Sequence, residues 1–349
     1  MATRLGRRGA YVATLLFLWS CADSSPANEP SAAEHERDAA LARAAVFVHD
    51  ARPELVRQDS APLTELACRF APTPISGTTP KFTCELEDGT SVKVKYGSTP
   101  EVPAELAASR LLRALGFGAD RVRLAERVRC YGCPSSPFYV RQIAEWWHVD
   151  NLAGKRPDYG THRDFMGAAV EWKLDGDSID GDIEGWSFFE LDRIDPARGG
   201  ATRADVDALR LMAIFLAHWD NKSANQRLVC LSRSSNGACA RSLIMLQDVG
   251  ATFGPRKVDL GDWRRVRLWA DDVGCRVSMA SFPYDGGTFG KDVTISDRGR
   301  QVLARRLAAL SRADVEALFM SARFPGRIDD WVAAFEEKVE QLVNRRCPS

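Results

Sequence analysis

The feature that most constrains this chain is the passage from an apolar helix into a dense polar run. Thr202 and Asp205 have the spacing of a capping box, and Val206, Leu209, Met212, Ala213 and Leu216 recur at helical spacing. That helix runs straight into AHWDNKSANQR, which brings His218, Asp220, Lys222 and Asn225 together. Further on, SLIMLQDVGATFG reads as a short apolar strand followed by Asp248-Val249-Gly250. Short polar runs are usually plain loops, because Asp and Asn bond to their own backbone there. The rest of the chain has to decide whether this one is more.

The front half is patterned for strands. Residues 66–97 contain ISGTTPK, a Gly/Thr/Pro loop, and EDGT, an Asp-Gly hairpin signal. TSVKVKY then alternates, with Val92 and Val94 on one side and Lys93 and Lys95 on the other. A helix follows, with Pro103 in its first turn, Gly116 at its end, and Glu105, Ser109 and Leu112 on one face. SPFYVRQIAEWW and MGAAVEWKLDG read as two further strands. After about residue 175 the pattern becomes helical, through DRGRQVLARRLAAL, SRADVEALFMSAR and DDWVAAFEEKVEQLVNRR. A β-rich front and a helical back predict an α+β protein with two lobes, residues 61–175 and 176–349.

Phosphoryl transfer asks a protein to hold phosphates, fix a divalent metal and accept a proton from a hydroxyl. Asp220 suits the proton, and Lys222 suits the transferred group. The amide oxygen of Asn225 and the carboxylate of Asp248 suit the metal, with Gly250 letting the backbone turn beside them. Lys95 or Lys93 suits the phosphates, held by Glu105; Lys95 is preferred because it ends its strand. Backbone amides of Ser76, Gly77, Thr78 and Thr79 suit the phosphate oxygens. Each has a plainer reading. The lysines, Lys81 included, would decorate a strand or loop, and Glu105 would be a helix N-terminal charge. His218 reads as a structural hydrogen-bonder, and Trp146, Trp147 and His148 as buried or interface side chains.

HWDNKSAN has the form His-x-Asp-x-Lys-x-x-Asn and so resembles the catalytic loop of protein kinases. DVG at 248–250 resembles their Asp-Phe-Gly, and VKVK before a Glu-bearing helix resembles their paired Lys strand and Glu helix. The resemblance covers about residues 66–255 in the right order. ISGTTPKF is similar to the phosphate loop of HipA-type kinases and lacks Gly-x-Gly-x-x-Gly, so the likeness is to the atypical branch. Phosphoinositide and secretory-pathway kinases share that looser architecture. The resemblance implies a protein-kinase-like fold with a cleft, ATP, and Mg²⁺ or Mn²⁺. It places VEWKL, with Glu171 and Trp172, near an adenine-binding hinge. No Ala-Pro-Glu element is visible, and the gap from Asn225 to Asp248 is longer than in typical protein kinases. The expected activity is ATP-dependent phosphotransfer to an unknown hydroxyl acceptor. The alternative is a non-catalytic envelope lipoprotein that keeps the fold as a nucleotide-binding or scaffolding module; AMP transfer is a narrower variant.

The N-terminus adds a location. Arg4, Arg7 and Arg8 precede a short apolar run from Ala10 to Trp19, the layout of a secretory signal. Leu18-Trp19-Ser20-Cys21 resembles a bacterial lipobox, which implies a signal over 1–21 and lipidation of Cys21. Residues 22–60 are expected to be a tether, its stretch 22–45 ending in a short helix, and the domain to sit in the cell envelope, held to a membrane by lipid. Nine cysteines, eight of them beyond Cys21, favour disulfides in an exported chain. Cys230 with Cys239 and Cys68 with Cys84 are the best local pairs. CYGC at 130–133 reads as a structural disulfide before a zinc half-site or redox pair, since no second half with ligand spacing is visible. Lys+Arg and Asp+Glu are 47 each, which leaves no broad basic surface for nucleic acid.

Overall fold

The computed structural model describes residues 30–74, 77–139, 157–282, 287–290 and 292–347. The expected signal with Cys21, the loop residue Ser76, and Trp146, Trp147 and His148 lie outside the described residues. Ser31–Ser349 gather into one unit of mixed α and β structure.

Five strands build the front. They are β1 (Leu63–Ala71), β2 (Lys81–Glu85), β3 (Ser91–Lys95), β4 (Arg121–Tyr131) and β5 (His162–Trp172). They close into a barrel in the order β1-β2-β3-β5-β4, with β1 and β4 parallel and the other pairs antiparallel. Period-two alternation splits each strand. Phe82, Cys84, Val92, Val94, Val128, Ala168 and Val170 fill one buried cluster. Lys81, Lys93, Lys95 and Glu171 occupy the alternate positions, and the register sets Lys81 opposite Lys95 and Lys93 opposite Glu171.

Helices carry the rest. They are α1 (Ala32–Ala42), α2 (Glu54–Ser60), α3 (Glu101–Ala114), α4 (Arg203–Leu216), α5 (Leu260–Arg265), α6 (Asp297–Ala308), α7 (Arg312–Ser321) and α8 (Ile328–Asn344). The predicted cap of α4 is present: Thr202 Oγ1 accepts from Asp205 N at 3.2 Å, and Asp205 Oδ2 accepts from Thr202 N at 3.2 Å. α4 packs on α6, and α3 packs on β4 and β5. Phe253, Trp263, Phe319, Phe324 and Trp331 form an aromatic core among the later helices. A small sheet of β6 (Asp177–Ser178), β7 (Gln226–Arg233) and β8 (Cys239–Leu246) delivers the two polar segments singled out above.

Two expectations need correction, and one strand was not predicted. Residues 31–60 are not a tether. Arg37 on α1 is buried and donates to Glu190 Oε1 at 2.9 Å, Glu190 Oε2 at 2.7 Å and the Gly185 carbonyl. An ion pair buried this deeply and fully hydrogen-bonded ties α1 into the fold. In SPFYVRQIAEWW, Pro137, Phe138 and Tyr139 are helical rather than extended, and the residues from 140 onward lie outside the described residues. β4 went unread because Arg121, Arg123, Arg127 and Arg129 give one face of RVRLAERVRCY a strongly polar character.

Both local cysteine pairs form, as Cys68–Cys84 and Cys230–Cys239. Cys130–Cys133 is a disulfide, and Cys275–Cys347 closes a separation of 72 residues. No described helix is long and apolar enough to cross a membrane.

Candidate active site

The site is built outward from Lys95. It ends β3 with only 1% of its surface exposed. Its Nζ donates to Glu105 Oε2 and to Asp248 Oδ1, both at 2.8 Å, and lies 3.8 Å from Glu171 Oε2. Lys93, one pleat away on the same face, donates to Glu171 Oε1 at 2.7 Å. Lys81 on β2 lies 3.9 Å from Asp248 Oδ2. Three lysines and three carboxylates thus interlock across β2, β3, β5, α3 and the segment after β8.

The charges support one another. Burial opposes a charged Lys95, but Asp248, Glu105 and Glu171 outweigh it and hold its pKa well above the ordinary lysine value. Lys95 in turn, against burial, holds the Asp248 carboxyl far below the usual carboxylate range. Burial pushes Glu105 up to about 7, with Lys95 pulling it back. Burial likewise lowers Lys81, against the attraction of Asp248.

The facing wall comes from the polar run. Ala217 takes a left-handed conformation that ends α4. His218 is fully buried with Gln226 Nε2 at 3.3 Å from its Nε2, and burial lowers its pKa to about 4. Burial thus favours its neutral form. Asn225 Nδ2 donates to the Asp220 carbonyl at 2.6 Å, which leaves the amide oxygen as its open polar atom. Gln247 N donates to the Asn225 carbonyl at 3.0 Å and sets the run beside Asp248. Lys222 Nζ lies 3.8 Å from Asp220 Oδ1, and both side chains are partly exposed.

Asp248 has φ of 49°, a left-handed backbone that costs a non-glycine residue about 1–3 kcal/mol. Gly250 sits close against α3: a Cβ there would stand 3.2 Å from both Glu101 Cβ and Glu105 Oε2, tighter than ordinary contact. Gly77, at φ +85°, has Lys81 Nζ 3.2 Å from where its Cβ would be.

A cleft of about 810 Å³ opens over these residues. Lys81, Lys93, Lys173, Lys222, Asn225 and Asp248 line it together with Gly77. Thr78 is exposed and Thr79 buried in the loop beside Gly77. Trp172 is not brought to this cleft. It lines a separate cavity of about 570 Å³ with Arg113, Arg121 and Arg227. Glu171 likewise serves the lysine network rather than standing free at a hinge, because the β3–β5 register sets it against Lys93.

Two supporting residues escaped the sequence reading. Asn221 accepts from Thr288 N at 2.7 Å and Phe289 N at 2.9 Å through Oδ1, and it donates to the His218 carbonyl at 3.0 Å. Lys257 joins the Glu101 carboxylate on α3 and stands 5.5 Å over the Trp219 ring. Asn221 sits inside the polar run, so its place was readable there. Nothing local marks Lys257, whose partners are distant in sequence.

Asp248 and Asn225 offer a carboxylate and an amide oxygen, the hard donors that suit Mg²⁺ or Mn²⁺. No protein-family model matches the chain, and no curated protein does. A solved structure similar to it is that of a Helicobacter pylori proinflammatory kinase, CtkA. The two share 12% sequence identity with a TM-score of 0.46, over 81% of this chain and 96% of that one.

Proposed function

We propose that the chain is an ATP-dependent phosphotransferase of the atypical, two-lobed kinase-like kind, acting on a hydroxyl acceptor. The observation that carries this reading is Lys95, clamped between Glu105 and Asp248 beneath a lysine-lined cleft. Buried lysines at fixed positions match the charge of a polyphosphate. In this reading Lys95 and Lys81 hold phosphate oxygens, and the loop around Gly77 covers them. Asp248 and Asn225 hold Mg²⁺ or Mn²⁺, which supplies charge neutralisation at the transferred group when bound. Asp220 accepts the hydroxyl proton, and Lys222 steadies the transferred group. Export with a lipid on Cys21 completes the proposal, supported by four disulfides and the signal-like N-terminus.

The test is nucleotide-dependent thermal stabilisation of the oxidised protein, with ATP and Mg²⁺ or Mn²⁺, beside Asp248→Ala. Ligand at ~100 times its dissociation constant stabilises the native state by about 2.7 kcal/mol. A metal-dependent shift that Asp248→Ala abolishes is the expected result. The same shift in the variant overturns the metal assignment, and no shift with any nucleotide overturns the proposal.

A further inference from the structure

The barrel interior holds a group of sulfurs that phosphotransfer does not use. Cys68 on β1, Cys84 on β2 and Cys130 on β4 place their sulfurs within 4.8 Å of one another. They belong to two different disulfides, Cys68–Cys84 and Cys130–Cys133, yet Cys84 Sγ lies only 3.8 Å from Cys130 Sγ. The register explains the convergence. Cys68 pairs directly with Cys130 across β1 and β4, while Cys84 stands opposite Phe70 on the other side of β1. Three of the sulfurs therefore face one lumen at one level. Cys133 is the most exposed of the four residues, at 7%.

We propose that these four cysteines form a thiol–disulfide exchange site for a small dithiol. The thiolate of the dithiol attacks Cys133 Sγ, forms a mixed disulfide there and releases the Cys130 thiolate. Cys130, freed to turn about its own side chain into line with the Cys68–Cys84 bond, attacks Cys84 Sγ, 3.8 Å away in the oxidised protein, forms a Cys84–Cys130 bond and expels the Cys68 thiolate. The second thiol of the reagent resolves the mixed disulfide and frees Cys133. One protein disulfide is lost, the dithiol becomes a disulfide, and its two protons end on Cys68 and Cys133. The exchange moves the crosslink off β1. Cys68–Cys84 spans the connection between β1 and β2 that carries Gly77, and the swap removes that crosslink while the β1–β2 pairing remains. The exchange itself does not depend on the phosphotransfer reading.

The experiment treats the oxidised full chain anaerobically with dithiothreitol, up to one equivalent per chain. Samples are quenched in acid, alkylated and mapped by mass spectrometry without reduction. The expected product has a Cys84–Cys130 crosslink and alkylated Cys68 and Cys133. Alkylated Cys130 and Cys133 beside an intact Cys68–Cys84 bond would overturn the proposal, as would reduction confined to Cys230–Cys239 or Cys275–Cys347. Cys133→Ser gives an independent reading, because it leaves Cys130 as a thiol with no partner of its own. In the folded variant the alkyl label is expected on Cys68 and lost from Cys130; label on Cys130 alone contradicts the exchange.

Discussion

Lys95 and Lys338 are equally buried, at 1% exposure each, and their surroundings push them in opposite directions. Lys338 on α8 donates to the Val266 carbonyl at 2.7 Å and stands 5.5 Å over the Trp263 ring. No carboxylate is bonded to it among the described residues, and burial lowers its pKa to about 8. Lys95 has three carboxylates around it and is held charged. A lysine that only fills space keeps one acceptor and yields on its charge. The acids around Lys95 are matched in number by Lys95, Lys93 and Lys81, and one of them, Asp248, also lines the cleft. Titratable groups that perturb one another this strongly in a cleft are what makes this place a candidate site.

The largest test of this contrast is Lys95→Met. It leaves Glu105, Glu171 and Asp248 with only Lys81 and Lys93 to answer them. Removing one partner from a buried charge group typically costs about 3–5 kcal/mol. Urea denaturation at pH 8 is expected to show a loss of that size, together with the loss of nucleotide-dependent stabilisation. A loss below about 1 kcal/mol would mean that the acids reorganise freely, and the contrast with Lys338 would fail.

Lys338 supplies the next test, through pH. Below pH 8 it is protonated in both folded and unfolded chains, and the burial cost is present in full. Between about 8 and its ordinary 10.5 the folded chain has lost the proton while the unfolded chain keeps it. The unfolded state then binds more protons, so stability rises with pH across this window, by up to ~3 kcal/mol from this group. Denaturation midpoints of the protein and of Lys338→Met, followed over that range, check it. The variant is expected to lack the rise, and an identical slope in both would show that the lysine is not desolvated as its surroundings imply.

The same contrast shows what a sequence reveals. Lys95, Glu105, Asp220, Asn225 and Asp248 were legible because each stands at a fixed local position: a strand end, a helix face, a polar run or a strand exit. The meeting of Lys95, Glu105 and Asp248, and the place of Asn225 beside Asp248 in the cleft, follow from elements that the hydrophobic pattern already marked, whereas the Asp220 side chain is not among the cleft-lining residues. Glu171 was read for its place near a hinge, yet its work is set by the register between β3 and β5, which no local pattern encodes. ADSSPANEPSAAEHERDAALARAA is small and polar and predicts a tether that ends in a short helix; the helix is α1, but it is packed into the fold. Its anchor is Glu190, 153 residues away. The Cys275–Cys347 bond and the meeting of Cys84 with Cys130 were hidden for the same reason. Long-range pairing is decided by topology, and the barrel could not be closed on paper while the arginines of β4 concealed one of its strands.

The smallest expected effect on stability belongs to Asp220→Asn. Its side chain is partly exposed, at 28%, and its nearest cation, Lys222, is 3.8 Å away and itself 43% exposed. A pair of this kind contributes little, so the change in folding free energy is expected to stay within about 0.5 kcal/mol. The backbone carbonyl that Asn225 Nδ2 bonds is untouched by the substitution, so the amide beside Asp248 keeps its orientation. Nucleotide-dependent stabilisation is therefore expected to survive. Phosphoryl transfer, followed as basal ATP turnover, is expected to fall by roughly 10²–10⁴-fold, the usual contribution of a positioned base. Intact binding with lost turnover separates the wall that takes a proton from the wall that holds charge. Unchanged turnover would strip Asp220 of its role, and a stability loss as large as that of Lys95→Met would make the polar run a scaffold like the lysine network it faces.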